Sequence, residues 1–345
     1  MNVLLLQAHA ISEYDHLRML TDLGYDVLSI GAYIDPAHPH VDIRPPLPEA
    51  PQHPDLAAAI DAVPGGQLAA KEHLPDAVID WADTIIVEHY PAQWVFKQWH
   101  RLRHKDVVWR TCGQSDVPLE QLMAPLRRQG LRIVRYSPAE RRYFEGMGVF
   151  AGEDALIRFA KYPDDHGGWT GDEPYVANVT QDMRGRGEWC GLSWYLHATE
   201  GLDARPAGHN SEALPGGLGV LPYDGMIDYL RGARAYVYTG THPASYTLGL
   251  MEALLVGVPV VSIGAQAWMG PADLFEAAEI AGLAFDDPAQ ARVELRELLA
   301  DPEYGQPLGM AQRRRAVELF DVATVGAQWR EFLGAPRGAT AEVAA

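Results

Sequence analysis

The sequence contains little cysteine: only Cys112 and Cys190 occur among its 345 residues. Two thiols cannot build the disulfide framework that stabilises small secreted domains, so we expect a protein of a reducing compartment, the cytoplasm. The first residues also lack the basic stretch and the small-residue cleavage site of a secretory signal peptide. We therefore do not expect a secreted, disulfide-stabilised protein.

Long uninterrupted apolar runs are missing as well. The most apolar stretch, 253–270, is broken by Gly257, Pro259, Gly264 and Gln266, whereas a transmembrane helix needs about 18 or more apolar residues in a row. We expect no membrane-spanning segment. With 48% apolar and 21% charged residues, the chain has the composition of a globular protein, and its length corresponds to about two domains.

Several enzyme motifs are absent from the sequence. It has no Gly-x-x-x-x-Gly-Lys-Ser/Thr motif, no Gly-x-Gly-x-x-Gly after an expected strand and no Gly-x-Ser-x-Gly elbow. These absences argue against P-loop NTPases, dinucleotide-dependent dehydrogenases and α/β-hydrolases. His100 and His104 have the spacing of metal ligands on a helix, but the glutamate and the third ligand of a zinc hydrolase are missing. We expect a basic helix face there and no metal site.

Positive charge is scarce overall, since the net charge is −18, but it is concentrated in one part of the chain. Residues 97–142, called the basic segment below, hold eleven Lys and Arg against four Asp and Glu, a local charge of +7. A chain polarised in this way can repel polyanions in general and still bind one on a single face. The alternative is a set of ordinary solvated helix faces, and the sequence leaves both interpretations open.

Short apolar runs alternate with helical patterns in both halves of the chain. Strands are expected at 3–6, 25–30, 84–87, 106–109, 131–134, 175–179, 235–238, 258–263 and 283–285. This alternation predicts the α/β class, with two Rossmann-like domains that face each other across a ligand-binding cleft. Glycine, proline and acidic residues crowd together at 162–174, which predicts an N-terminal domain at 1–165 and a C-terminal domain at 170–320.

The segment from Tyr238 to Ser262 carries the most information about function. A strand that ends at Tyr238 is followed by a loop of small residues and by a helix that begins near Thr247. The first amides of such a helix and the positive end of its dipole can hold a phosphate, to which Ser245 and Thr247 can add hydroxyl donors. Glu252 follows about 7–8 Å further along the helix axis, where its carboxylate can accept hydrogen bonds from a ribose. The alternative is a capped helix with Glu252 on a solvated face.

The same segment resembles the donor-binding segment of nucleotide-sugar glycosyltransferases with the GT-B fold, particularly family 4. The family pattern Glu-Gly-Phe-Gly-Leu, then Glu-Ala, then Gly-x-Pro-Val-Val, corresponds here to 244–248, 252–253 and 257–261. The chain departs from the pattern at Ala244, where the family has a glutamate that contacts the donor sugar. The resemblance also implies that the last helix, about 321–333, packs back onto the N-terminal domain.

For the donor, the resemblance implies a nucleoside diphosphate sugar, most of all a UDP- or GDP-sugar, bound by the C-terminal domain. The implied donor-binding residues are Arg184, Arg186, Ser245, Tyr246, Thr247, Leu248 and Glu252. Glu252 would bind the ribose, while the backbone amides of Thr247 and Leu248 would hold the diphosphate. Arg184 and Arg186 would neutralise the diphosphate, so no metal ion and no permanently bound cofactor are expected.

The acceptor is expected on the N-terminal domain, near three candidate catalytic residues: His9, His89 and Cys112. In the family a histidine often stands near the position of Cys112. The basic segment makes a polyanionic acceptor one hypothesis, either DNA with a hydroxylated base, as for phage-type DNA glycosyltransferases, or a phosphate-bearing lipid. A small molecule or a saccharide is the other hypothesis. Retention of the anomeric configuration is implied by the resemblance.

Two other functions stay open from the sequence alone. Ala244 and Cys112 depart from the family pattern, which is compatible with a non-catalytic nucleotide-sugar binding protein. A sugar-nucleotide epimerase of the same two-domain fold is the second alternative. Turnover separates these possibilities, because a binding protein releases no nucleoside diphosphate and an epimerase converts its sugar nucleotide without any acceptor.

Overall fold

The structure is a computed structural model that describes residues 1–33, 53–65, 69–88, 92–113 and 115–335. The chain divides into two compact units. The first unit consists of Met1–Ala160 together with the chain from Val322 onward, and the second consists of Lys161–Asp321.

Within the described residues, the first unit contains a parallel sheet with the strand order β2-β1-β3-β4-β5-β6. Its strands are β1 (Asn2–Leu6), β2 (Asp26–Ile30), β3 (Thr84–Glu88), β4 (Asp106–Arg110), β5 (Arg132–Arg135) and β6 (Ala155–Leu156). Its helices before the second unit are α1 (Ala10–Asp22), α2 (Pro54–Asp61), α3 (Asp76–Trp81), α4 (Lys97–Leu102), α5 (Val117–Arg127) and α6 (Pro138–Gly146), with a π-helical turn at Ala92–Phe96.

The second unit repeats this architecture with a parallel sheet in the order β11-β10-β9-β7-β8. Its strands are β7 (Glu173–Val179), β8 (Ala204–Ala207), β9 (Ala233–Tyr238), β10 (Val260–Ile263) and β11 (Ala284–Phe285). Its α-helices are α7 (Met183–Arg186), α8 (Leu192–Ala198), α9 (Tyr223–Gly232), α10 (Leu248–Val256), α11 (Ala277–Ala281), α12 (Pro288–Ala300) and α13 (Pro302–Phe320).

The inner strands of the first sheet are buried on both faces. Successive side chains of a strand point to opposite sides, so both sets of side chains in such a strand are apolar. In β1, Leu4 and Leu6 belong to one apolar cluster, whereas Val3 and Leu5 belong to the cluster on the other face. This arrangement explains why β1 is a continuous apolar run in the sequence and does not alternate. The predicted α/β fold with two parallel sheets is confirmed.

The last helix, α14 (Val322–Leu333), completes the core of the first unit. Val325 and Trp329 are buried in the same apolar cluster as Val3 and Leu5. A Cβ atom at Gly326 would lie 3.3 Å from Leu23 Cδ2, so the absence of a side chain lets α14 approach closely. No helix of the described residues is long and apolar enough to cross a membrane.

Candidate functional site

The carboxyl ends of parallel strands share one edge of a sheet, which is where ligands bind in open α/β folds. In the second unit, β9 ends at Tyr238, and the chain reaches α10 through residues 239–247. Thr247 is the N-cap of α10 in extended conformation, and its side chain makes no capping hydrogen bond. The first amides of a helix have no partner within the helix, so this edge presents hydrogen-bond donors and a positive dipole end.

The first turn of α10 lies directly beside the end of β7. A Cβ atom at Gly249 would be 3.3 Å from the carbonyl oxygen of Val179, the last residue of β7. A glycine is therefore the residue that fits here without displacing the strand. The close approach places the N-terminus of α10 next to the segment that follows β7, which carries Arg184 and Arg186.

Glu252 lies one turn into α10 and is buried, with only 4% of its surface exposed. Its Oε1 accepts a hydrogen bond from Lys161 Nζ at 2.7 Å, and the Lys161 side chain is itself 1% exposed. The alternative of a solvated face for Glu252 is therefore wrong. The carboxylate already has a cationic partner inside the protein, and its contact with a ribose stays a prediction.

Arg184 and Arg186 lie on the short helix α7, which follows β7, and both side chains are exposed. Asp182 is the N-cap of α7 and accepts a hydrogen bond from Gly185 N at 3.2 Å. Arg184 Nη1 donates to the carbonyl oxygen of Ala213 at 2.7 Å. Burial raises the pKa of the Cys190 thiol, and the positive charge of Arg186 opposes this effect. The exposure of both guanidinium groups fits a role in anion binding, which stays a prediction.

Ser245 and Tyr246 are both buried in the loop before α10. The Tyr246 ring packs against Phe320 of α13 with the ring centroids 5.4 Å apart. The carbonyl oxygen of Ser245 accepts hydrogen bonds from the backbone amides of Glu276 and Ala277. These contacts hold the loop in place, while the predicted contacts of Ser245 and Tyr246 with phosphate and sugar stay untested.

A series of aromatic rings near this loop was not recognised in the sequence. The His242 ring lies 4.7 Å from the exposed Trp189 ring and 5.2 Å from the buried Trp268 ring. Trp268 stacks on Phe275 at 4.7 Å, and Phe275 stacks on Tyr238 at the end of β9. Burial lowers the pKa of His242. The signal in the sequence was a histidine within the loop between a strand end and a helix start.

In the first unit, two predicted residues follow strands that flank β3. His9 follows β1, is exposed, and serves as the N-cap of α1, with Nδ1 accepting from Ser12 N at 3.4 Å. Cys112 follows β4 and is partly buried. His89 lies outside the described residues. The structure thus places His9 and Cys112 at the same edge of the first sheet, and their roles stay predictions.

A buried polar network lies at this edge and was missed in the sequence. Glu88, the last residue of β3, accepts hydrogen bonds from Ser12 Oγ and, at 2.6 Å, from Gln7 Nε2. Burial opposes its ionisation, but the hydrogen bond and charge of His16 and the charge of Arg110 together lower the pKa of Glu88 to about 2. A charged residue at the end of a buried apolar run was the signal for this site.

Two other buried carboxyls of the first unit, Glu13 and Glu140, have a raised pKa, in contrast to Glu88. Burial raises the pKa of Glu13 to about 7, although Ser29 Oγ and Tyr33 N each donate a hydrogen bond to it at 2.6 Å. Burial likewise raises the pKa of Glu140 to about 7 against the charge of Arg135. Between pH 4.5 and 7, each group holds a proton in the native state that it has lost in the unfolded state.

We therefore expect the free energy of unfolding to fall as the pH rises from 5 to 7, by up to about 1.4 kcal/mol per pH unit for each group. Glu13→Gln keeps the shape of the protonated acid and removes its titration. Urea denaturation at pH 5, 6 and 7 gives the free energy of unfolding at each pH. In this variant the free energy should fall less steeply with rising pH, and the remaining fall should come from Glu140. An unchanged slope would contradict the raised pKa of Glu13.

The structure pairs most of the cations of the basic segment. The ion pairs are Lys97–Glu72, Arg101–Asp76, Arg127–Asp154, Arg132–Asp106, Arg135–Glu120 and Arg141–Glu153. Lys105 donates to two backbone carbonyl oxygens, and the buried Arg110 guanidinium lies 4.5 Å from the Phe159 ring centroid. Much of the local positive charge is therefore compensated within the first unit. Binding of DNA or of an anionic lipid by this segment stays a prediction.

No protein-family model and no curated protein matches the sequence. Solved structures match over almost the whole chain. Sucrose-phosphate synthase from Thermosynechococcus elongatus is 16% identical with a TM-score of 0.65, and the match covers 96% of this chain and 98% of that one. Anabaena HepE in complex with UDP-glucose is 14% identical with a TM-score of 0.67, covering 96% and 99%.

A glycosyltransferase from Rickettsia africae is also similar, at 10% identity and a TM-score of 0.64, with 96% of this chain and 97% of that chain covered. At these identities the similarity is one of fold, because unrelated functions can share an architecture. The chain has the two-unit α/β fold of these proteins.

Proposed function

We propose that this chain is a glycosyltransferase of the GT-B fold that transfers a sugar from a nucleoside diphosphate donor to an acceptor hydroxyl. The observation that carries the proposal is the N-terminus of α10 at the carboxyl edge of the second sheet, with Glu252 one turn further along the helix. The similar fold of Anabaena HepE, which was solved with UDP-glucose, supports a UDP-sugar as the donor. A GDP-sugar is the second donor to test.

Each group of the donor has a proposed partner in the second unit. The diphosphate lies on the amides of Thr247 and Leu248, where the helix dipole favours negative charge. The exposed guanidinium groups of Arg184 and Arg186 add positive charge. Glu252 accepts the ribose hydroxyls. As the glycosidic bond breaks, charge grows on the leaving diphosphate, and these fixed donors stabilise it without a metal ion.

The acceptor is proposed to bind the first unit at the edge that carries His9 and Cys112. The ion pairs of the basic segment weigh against a polyanionic acceptor, because paired cations offer little net charge to a phosphate backbone. An uncharged saccharide or small-molecule hydroxyl is the acceptor class favoured here. Retention of the anomeric configuration follows from the resemblance to family 4, and the cytoplasm stays the proposed location.

A thermal-shift screen with UDP, GDP and their sugars tests the proposal. A nucleotide at 100 times its dissociation constant should stabilise the protein by about 2.7 kcal/mol. Release of nucleoside diphosphate in the presence of an acceptor then separates a transferase from a binding protein, and conversion of the sugar nucleotide without acceptor would identify an epimerase. If no nucleotide raises the unfolding temperature, the proposed donor site is wrong.

A further inference from the structure

The Lys161–Glu252 ion pair joins two parts of the chain that are 91 residues apart. Lys161 lies outside the motif that identifies the donor-binding segment, yet its ammonium group contacts the carboxylate of that motif. Its side chain is 1% exposed, and that of Glu252 is 6% exposed. A carboxylate buried without a cation would be strongly destabilised or would take up a proton. The ammonium group of Lys161 therefore holds one oxygen of the buried Glu252 carboxylate and compensates its charge.

Backbone contacts hold Lys161 in place. Its amide donates to the carbonyl oxygen of Phe320 at 2.8 Å, and Lys161 forms a parallel bridge with Asp321. Phe320 in turn packs on Tyr246, which lies in the loop before α10. Lys161 and Asp321, the first and last residues of the second unit, are thus bridged to each other, and Lys161 and Phe320 contact Glu252 and Tyr246 of the donor-binding segment.

We infer that Lys161 is the positioning residue for the carboxylate that binds the ribose. This inference rests on the proposed function, since it assigns Lys161 to the same site. With Oε1 held by Lys161 and the Lys161 backbone held by α13, the carboxylate meets the ribose hydroxyls in one fixed orientation. Such preorganisation spares the ligand the cost of ordering the side chain on binding.

Discrimination between ribose and 2′-deoxyribose tests this role, because a merely structural residue would weaken both ligands equally. Isothermal titration with UDP and 2′-deoxy-UDP, and with GDP and 2′-deoxy-GDP, gives the ratio of dissociation constants. The wild type should prefer the ribonucleotide by about tenfold, the usual scale of a hydrogen bond to a charged group. Lys161→Met should reduce this ratio to about one. Lys161→Gln, which removes the positive charge, should also lower the ratio and serves if the Met variant does not fold. Lys161→Arg, which keeps the charge, should retain part of the preference.

Arg313→Met is the matched control, since Arg313 Nε donates to Leu255 O at the other end of α10. It should lower stability and leave the ratio unchanged. If Lys161→Met and Lys161→Gln keep the wild-type ratio while Glu252→Gln loses it, Lys161 does not position the carboxylate and the proposed function stands. If Glu252→Gln also keeps the ratio, the ribose contact and this inference are both wrong. If the wild type binds neither UDP nor GDP, the proposed function itself fails.

Discussion

Replacing Lys161 by Met is expected to lower the free energy of unfolding by about 3–5 kcal/mol, because it removes the ammonium group that pairs with the buried carboxylate of Glu252. The loss should appear as a lower urea midpoint for the second unit. It is among the largest effects we expect from one substitution, since typical single changes cost about 1 kcal/mol.

The double variant Lys161→Met/Glu252→Met separates the loss of the pair from the loss of one partner. Two apolar side chains of similar volume bury no charge, so the double variant should recover most of the stability lost by Lys161→Met. A double variant as unstable as the single one would show that the broken ion pair is not the cause. Recovery of stability without recovery of nucleotide binding would agree with a functional role for Glu252.

Replacing Arg135 by Met should destabilise the first unit by a similar amount, about 3–5 kcal/mol. Arg135 and Glu120 are both fully buried, with Nη2 and Oε2 2.7 Å apart. Glu120 also accepts from Ala151 N, so its carboxylate would lose its cation while staying fixed in the interior. Urea denaturation of the variant measures the loss.

Lys97→Met is the matched control within the basic segment. Its ammonium group contacts Glu72 at 2.6 Å, but the side chain is 54% exposed. An exposed pair of this kind contributes about 0–1 kcal/mol, so this variant should be nearly as stable as the wild type. Equal effects of Lys97→Met and Arg135→Met would contradict the buried ion pair in the first unit.

The strands that lie inside the sheets were predictable from their apolar runs, because a parallel strand buried on both faces needs such a run. The two missed strands, β6 and β8, lie at sheet edges. β6 is only two residues long, and β8 contains Pro206, which an edge strand tolerates and a central strand does not. The proline-rich loop expected at 36–54 lies mostly outside the described residues.

The sequence also predicted where α10 begins, and the helix carries a further signal. Glu252 is the single charged residue in a helix that is otherwise apolar on all sides, and such a helix is expected to be buried. A buried carboxylate needs a cation, so a partner was to be expected. Its identity as Lys161 could not be derived, because only the tertiary fold brings a residue 91 positions earlier to α10.

Isothermal titration of UDP-glucose into the wild type and into Glu252→Gln tests the donor site most directly. We predict saturable binding of one ligand per chain in the wild type and at least about tenfold weaker binding in the variant, the scale of a lost hydrogen bond to a charged group. The urea midpoint of each protein, measured in parallel, shows that the titrated chains are folded. Equal affinity of the two proteins for UDP-glucose would contradict the role of Glu252.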